Sequence, residues 1–232
     1  MTGVRELLQE KDHVFLDFDG PVCDVFARLA ASEVADRLKR LVTPDLPAEV
    51  SASADPFDVL RYAASCGPNA AHVVERQLSR FEVEAVSQIS PAPGVVEVLR
   101  EWAAQGFTVT IVSNNSVDAV RSFLTLHELT GHVRRISART TSDPARLKPH
   151  PALLDAAVKA LGTSPRQCVM IGDSAADVLA ARAAGVASIA LATTPVKRRT
   201  LAALDPDALV DALADLCSAP NRAPAPDPRL AG

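Results

Sequence analysis

Short apolar runs alternate along this chain with longer stretches whose apolar residues recur every three to four positions. The runs are residues 13–18 (HVFLDF), 109–112 (VTIV), 133–137, 168–171 (CVMI) and 187–191 (ASIAL). Each is short, rich in β-branched or aliphatic residues, and reads as a buried strand. The periodic stretches, residues 94–105, 117–127, 151–161 and 175–184, read as helices, and Gly106, Gly162 and Gly185 stand where such helices stop. Apolar strands alternating with helices of this length predict an α/β fold, a parallel sheet covered by helices on both faces.

The alternation fails between residues 23 and 88. No strand pattern is found there. Residues 25–41, 58–66 and 69–88 have helical spacing, the last bent or split, and the Pro-rich stretch 43–47 and residues 51–56 read as loops. The expected organisation is therefore a core from residues 1–22 and 89–217, with residues 23–88 inserted as a helical cap. Residues 218–232 (APNRAPAPDPRLAG with its preceding Ser) are Pro- and Ala-rich and are expected to be a disordered tail.

Composition narrows the partners. Net charge is -4, without a block of like charge, so nucleic acid and anionic membrane surfaces are not expected partners. No apolar run approaches the length of about 20 residues that spans a bilayer, and the charged start of the chain lacks the apolar segment of a signal peptide. Cys23, Cys66, Cys168 and Cys217 are scattered, with no zinc-type spacing, which suits a reducing compartment; a cytoplasmic location is expected. Trp102, Phe107 and Phe123 are expected in the core, as is Cys23.

The strand ends carry the chemistry. Ligands of an open parallel sheet collect beyond the carboxyl ends of its strands. There this sequence places Asp17 and Asp19, then Ser113 and Asn114, then Asp173 and Asp177, with Lys148 in the loop before a helix. Clustered carboxylates repel and need a cation. Oxygen-only ligands favour magnesium, which binds through one or two carboxylates plus substrate phosphate. A carboxylate can attack phosphorus to give an acyl phosphate, and a lysine can offset the charge of the transferring group.

In their order and context these motifs resemble the haloacid dehalogenase superfamily. Residues 17–24 (DFDGPVCD) resemble its first motif, DxDGxxxD. Ser113 at a strand end is similar to the second, KPHP at 148–151 to the third, and GDSAAD at 172–177 to the fourth. The resemblance implies a Rossmann-like three-layer core with strand order 3-2-1-4-5 and an inserted α-helical cap. It implies Asp17 as nucleophile and Asp19 as general acid and base; Ser113, Asn114 and Lys148 at the phosphoryl group; and Mg2+ at Asp17, Asp19, Asp173 and Asp177. The activity implied is a phosphatase of the phosphoglycolate phosphatase-like group, acting on a small phosphorylated metabolite through an aspartyl-phosphate, as a monomer or homodimer. A phosphomutase of the β-phosphoglucomutase kind uses the same motifs, and a non-catalytic binding domain could use the same fold. Pro21 departs from the family, which often has Thr after the glycine. In the cap, Arg61, Arg76 and Arg80 are candidates to set substrate choice.

Overall fold

The computed structural model describes residues 3–42 and 46–217. The tail expected over 218–232, and residues 43–45 of the expected loop, lie outside the described residues. Six parallel strands form one sheet: β1 (His13–Leu16), β2 (Thr108–Ser116), β3 (Arg135–Arg139), β4 (Cys168–Gly172), β5 (Ala187–Leu191) and β6 (Ala208–Val210), in the order β3-β2-β1-β4-β5-β6. The expected order 3-2-1-4-5 is present and continues by one strand. β6 has three residues, too few to show a period in the sequence. β1 lies centrally, His13 pairing with Thr108 on one side and Cys168 on the other.

Alternation along the strands divides the core in two. Val14 and Leu16 of β1, with Val109 and Ile111 of β2, face one layer and Phe15 the other. The helices are α1 (Val4–Gln9), α2 (Ala31–Lys39), α3 (Ala48–Ala52), α4 (Pro56–Cys66), α5 (Pro68–Val86), α6 (Val95–Ala104), α7 (Val117–Leu126), α8 (Ala152–Leu161), α9 (Ala175–Ala184) and α10 (Pro195–Ala202). Trp102 of α6 and Phe123 of α7 fill the first layer; Leu154 of α8 and Ala181 of α9 pack on Phe15 in the second. Trp102, Phe123 and Cys23 are fully buried and Phe107 nearly so. The fold is the three-layer α/β arrangement that the pattern predicts.

The inserted segment differs from expectation in three places, one being α3, which puts Ser51 and Ala52 of the expected 51–56 loop in a short helix. Residues 25–29 form turns, and α2 starts only at Ala31. Val25 and Leu29 are buried four residues apart, which imitates a helix, but the Val25 N–H donates to Asp19 Oδ1 at 2.9 Å. α5 runs unbroken over 19 residues, without the expected bend. Its Ala71, Val74, Leu78 and Ala85 are buried, and α4 and α7 flank it. Among the described residues, no helix is long and apolar enough to cross a membrane.

Candidate active site

β1 ends at Leu16, and the next residues turn sharply. Gly20 has φ 101°, a left-handed conformation that favours glycine. Its N–H donates to Cys23 O at 2.7 Å, while Val22 and Cys23 donate to Phe18 O. Pro21 has no N–H to offer, and this turn is closed by its neighbours. A Cβ on Gly20 would overlap the Asp173 carboxylate, so the missing side chain lets β1 and β4 bring their acids together. Gly172 does the same for Asp177.

Asp17, Asp19, Ser113, Asn114, Lys148 and Asp173 line one cleft of about 500 Å3 at the carboxyl ends of the strands. Asp177 lies under it, buried, its Oδ2 taking the Ser174 N–H and hydroxyl at the start of α9. The sequence-predicted residues therefore meet at one sheet edge. Lys148 is the hub: its Nζ lies 2.7 Å from Asp17 Oδ1, 2.6 Å from Asp177 Oδ1 and 2.9 Å from Val112 O. Those three acceptors match the three ammonium donors.

Electrostatics follow from burial. Burial pushes the Asp17 carboxyl well above the usual range, and Asp177 adds to that; Lys148 and the Phe18 N–H work against it. Burial draws Lys148 down, but Asp17 and Asp177 overcome it and hold the ammonium above its ordinary value. Burial also raises Asp173, against an ion pair with Lys197. Asp19 is pushed up to about 6, again chiefly by burial. The site thus holds more negative charge than its lysines offset. Asp17, Asp173 and Asp177 each offer an oxygen within 4.8 Å of the others. That all-oxygen set fits a hard divalent cation.

Asn114 has a second role that the sequence did not show, and three arginines lie away from where they were expected. The Asn114 carboxamide is engaged at both ends by the Lys148 backbone, donating to its O at 3.0 Å and accepting from its N–H at 2.8 Å. It fastens the Lys148 loop to β2 and lines the cleft as well. The cap arginines do not line the cleft: Arg61 pairs with Asp55 and Asp58 on an exposed face, and Arg76 and Arg80 are exposed. The lining residue from the cap helices is Phe57, near the start of α4. Sequence reading also passed over Lys197, which follows the Thr194-Pro195 start of α10 and reaches the cleft. A helix-start signal was present there, but no motif.

The family model for haloacid dehalogenase-like hydrolases matches residues 11–185. Pyrophosphatase PpaX of Bacillus cereus (strain AH820) is 32% identical over 122 residues, 53% of this chain and 56% of that protein. The chain thus matches little more than half the length of this curated relative. A predicted phosphoglycolate phosphatase from Haemophilus somnus 129pt is similar in structure, with a TM-score of 0.65 at 24% identity, covering 89% of this chain and 96% of that one. CbbY from Rhodobacter sphaeroides, in complex with phosphate, gives 0.67 at 16% identity over 89% and 96%. At these identities the structural likeness speaks for the fold alone.

Proposed function

This chain belongs to the haloacid dehalogenase-like hydrolases, and on that premise we propose that it is a magnesium-dependent phosphatase of the cytoplasm. It hydrolyses a small phosphorylated metabolite of the phosphoglycolate kind through an aspartyl-phosphate on Asp17. The observation that supports this most is the meeting of Asp17, Lys148, Ser113 and Asp173 in one cleft, with Lys148 Nζ 2.7 Å from the Asp17 carboxylate.

The residues divide the work as follows. Asp17 Oδ1 takes the Lys148 ammonium and the Phe18 N–H, at 2.7 Å each. Oδ2 is then the attacking oxygen: it bonds to phosphorus as the ester oxygen leaves. Asp19 protonates that leaving oxygen. A carboxyl raised to about 6 carries a proton near neutrality far more often than an ordinary one. Asp19 then takes the proton of a water that attacks phosphorus, the Oδ2–P bond breaks, the Asp17 carboxylate is regenerated and inorganic phosphate leaves. Ser113 and Lys148 hold the phosphoryl oxygens, and Asn114 positions the Lys148 loop. Asp17, Asp173 and Asp177, with Asp19 beside them through its backbone carbonyl, would hold the magnesium ion. When bound, the ion supplies positive charge against the phosphoryl oxygens.

The test is release of inorganic phosphate from a panel of phosphomonoesters and pyrophosphate, with magnesium or with excess chelator, and with and without acceptor sugars. Magnesium-dependent transfer to water is the expected result. Transfer only to a sugar, or full turnover in chelator, would overturn the reading.

A further inference from the structure

Helix α5 carries a glutamate where its apolar stripe calls for another aliphatic residue. Glu82 falls four residues after Leu78 on the buried face, and its side chain is 0% exposed. A buried carboxylate is costly unless paired and hydrogen-bonded. Arg139, the last residue of β3 and also buried, meets it with a two-pronged contact: Nη2 to Oε2 at 2.8 Å and Nη1 to Oε1 at 3.1 Å. The same guanidinium donates to Glu75 Oε1 and Ser79 Oγ on α5, and to Asn114 O on β2. It also lies over the ring of Phe57, 5.6 Å from the centroid, and Phe57 lines the cleft.

The other side of the Glu82 carboxylate faces the irregular end of β2, where pairing with β3 slips between Ser113 and Ser116. It accepts from the Ser116 N–H at 2.9 Å and from Asn115 Nδ2 at 3.2 Å. A carboxylate only accepts, so the amide nitrogen of Asn115 must face Glu82 and its oxygen must face away. That oxygen, Oδ1, accepts the Ser113 hydroxyl at 3.1 Å, and the Asn115 N–H donates back to Ser113 Oγ at 3.1 Å. A continuous chain therefore runs Arg139, Glu82, Asn115, Ser113, from the inserted helix to a side chain of the cleft.

We propose that Glu82, held by Arg139, is a positioning residue that acts through Asn115 to fix where Ser113 Oγ sits, the hydroxyl proton turning from Asn115 Oδ1 to a phosphoryl oxygen when phosphate binds while the Asn115 N–H keeps hold of Oγ. The site is then complete only while α5 is seated on the ends of β2 and β3. The proposal rests on the phosphatase reading above, because it needs Ser113 to meet phosphate. It explains why a charged residue is kept in the middle of an apolar stripe. It also gives Arg139, which no motif marks, a part in the reaction without contact to the substrate.

The experiment uses the full chain with magnesium and inorganic phosphate as the probe. Glu82→Gln keeps the shape but loses an acceptor oxygen and the charge; Asn115→Ala removes the relay and leaves the Glu82–Arg139 pair intact. Each is expected to weaken phosphate binding in titration calorimetry and to lower kcat by roughly ten- to hundredfold, the range for residues that orient ligands from behind. Neither residue belongs to the Asp17–Asp173–Asp177 group, so the magnesium concentration for half-activation stays at the wild-type value. The double variant is expected to be no worse than the weaker single, since both break one chain. Additive losses, or a Glu82→Gln protein of lower Tm whose phosphate Kd and kcat are unchanged, overturn the proposal. If Glu82→Gln does not fold, Asn115→Ala decides, and an unchanged phosphate Kd overturns it. Wild-type protein that neither binds nor releases phosphate would instead remove the phosphatase reading, and this inference with it.

Discussion

At the scale of single residues, two side chains of one type do different work because their surroundings differ. Asp17 is tied to an ammonium and Asp19 to one backbone N–H, so the first is suited to attack and the second to trade a proton. Asp17→Asn should reduce phosphate release to background with an unchanged circular dichroism spectrum, since an amide keeps the shape but is not a nucleophile. Asp19→Asn should lose about 10²–10⁴-fold with alkyl phosphates, whose leaving oxygen needs the proton, and much less with activated aryl phosphates. Equal losses for the two classes would argue against Asp19 as the acid. Gly20→Ala tests the close approach. The new methyl meets the Asp173 carboxylate in a backbone conformation that disfavours it. The magnesium requirement should therefore rise several-fold, and isothermal titration with magnesium reads that directly. An unchanged affinity would show that Asp173 can move aside.

At the scale of elements, the sequence was a good guide wherever a period had room to repeat. β5 and α9 appear at the residues predicted, and α6, α7 and α8 within a residue or so at each end. α1, α3, α10 and β6 were missed, α3 being only five residues long. α1 is six residues long, the middle of α10 is a polar run from Lys197 to Thr200, and β6 is three residues. The start of α2 was misplaced because a tertiary contact, Asp19 to Val25, outweighs local periodicity. The acids and Lys148 of the cleft were legible because they stand in motifs at strand ends. Glu82, Arg139 and Phe57 were not, because what unites them is the seating of α4 and α5 against β2 and β3. Glu82 alone left a trace, as the polar member of an apolar stripe. This placement moves the expected seat of substrate choice from the cap arginines to Phe57. Phe57→Ala should change the ratios of kcat/KM across a metabolite panel, whereas changes at Arg61, Arg76 or Arg80 should leave the ratios alone. Arginine variants that reshuffle the panel while Phe57→Ala does not would reverse that assignment.

At the scale of the whole molecule, the crowded acids make stability depend on pH and cation together. Asp17, Asp19 and Asp173 all hold their protons more tightly than ordinary carboxyls, with burial the leading cause. An acid whose folded pKa is raised penalises the fold once it ionises, so stability falls as pH rises from the unfolded value through the folded one. For Asp19 that window runs from the ordinary carboxyl range to about 6, and the rise at Asp17 carries the trend higher. In chelator, Tm should therefore fall between about pH 4 and about pH 6, while the gain in Tm on adding magnesium should grow over the same interval. Differential scanning calorimetry at the two pH values checks this, and a magnesium gain that is equal at both would count against a cation held by these carboxylates.

The central place of β1 has a consequence for synthesis on the ribosome. The strand that delivers Asp17 is made well before its two neighbours, which begin at residues 108 and 168. Until β4 has emerged, the apolar run of β1 has a free edge, and contacts this distant in sequence form slowly. A nascent chain halted before residue 168 should bind chaperones and yield to protease around β1. One halted well past β5, with room to clear the exit tunnel, should resist, so the catalytic edge becomes protected only when the second half of the sheet closes over the first.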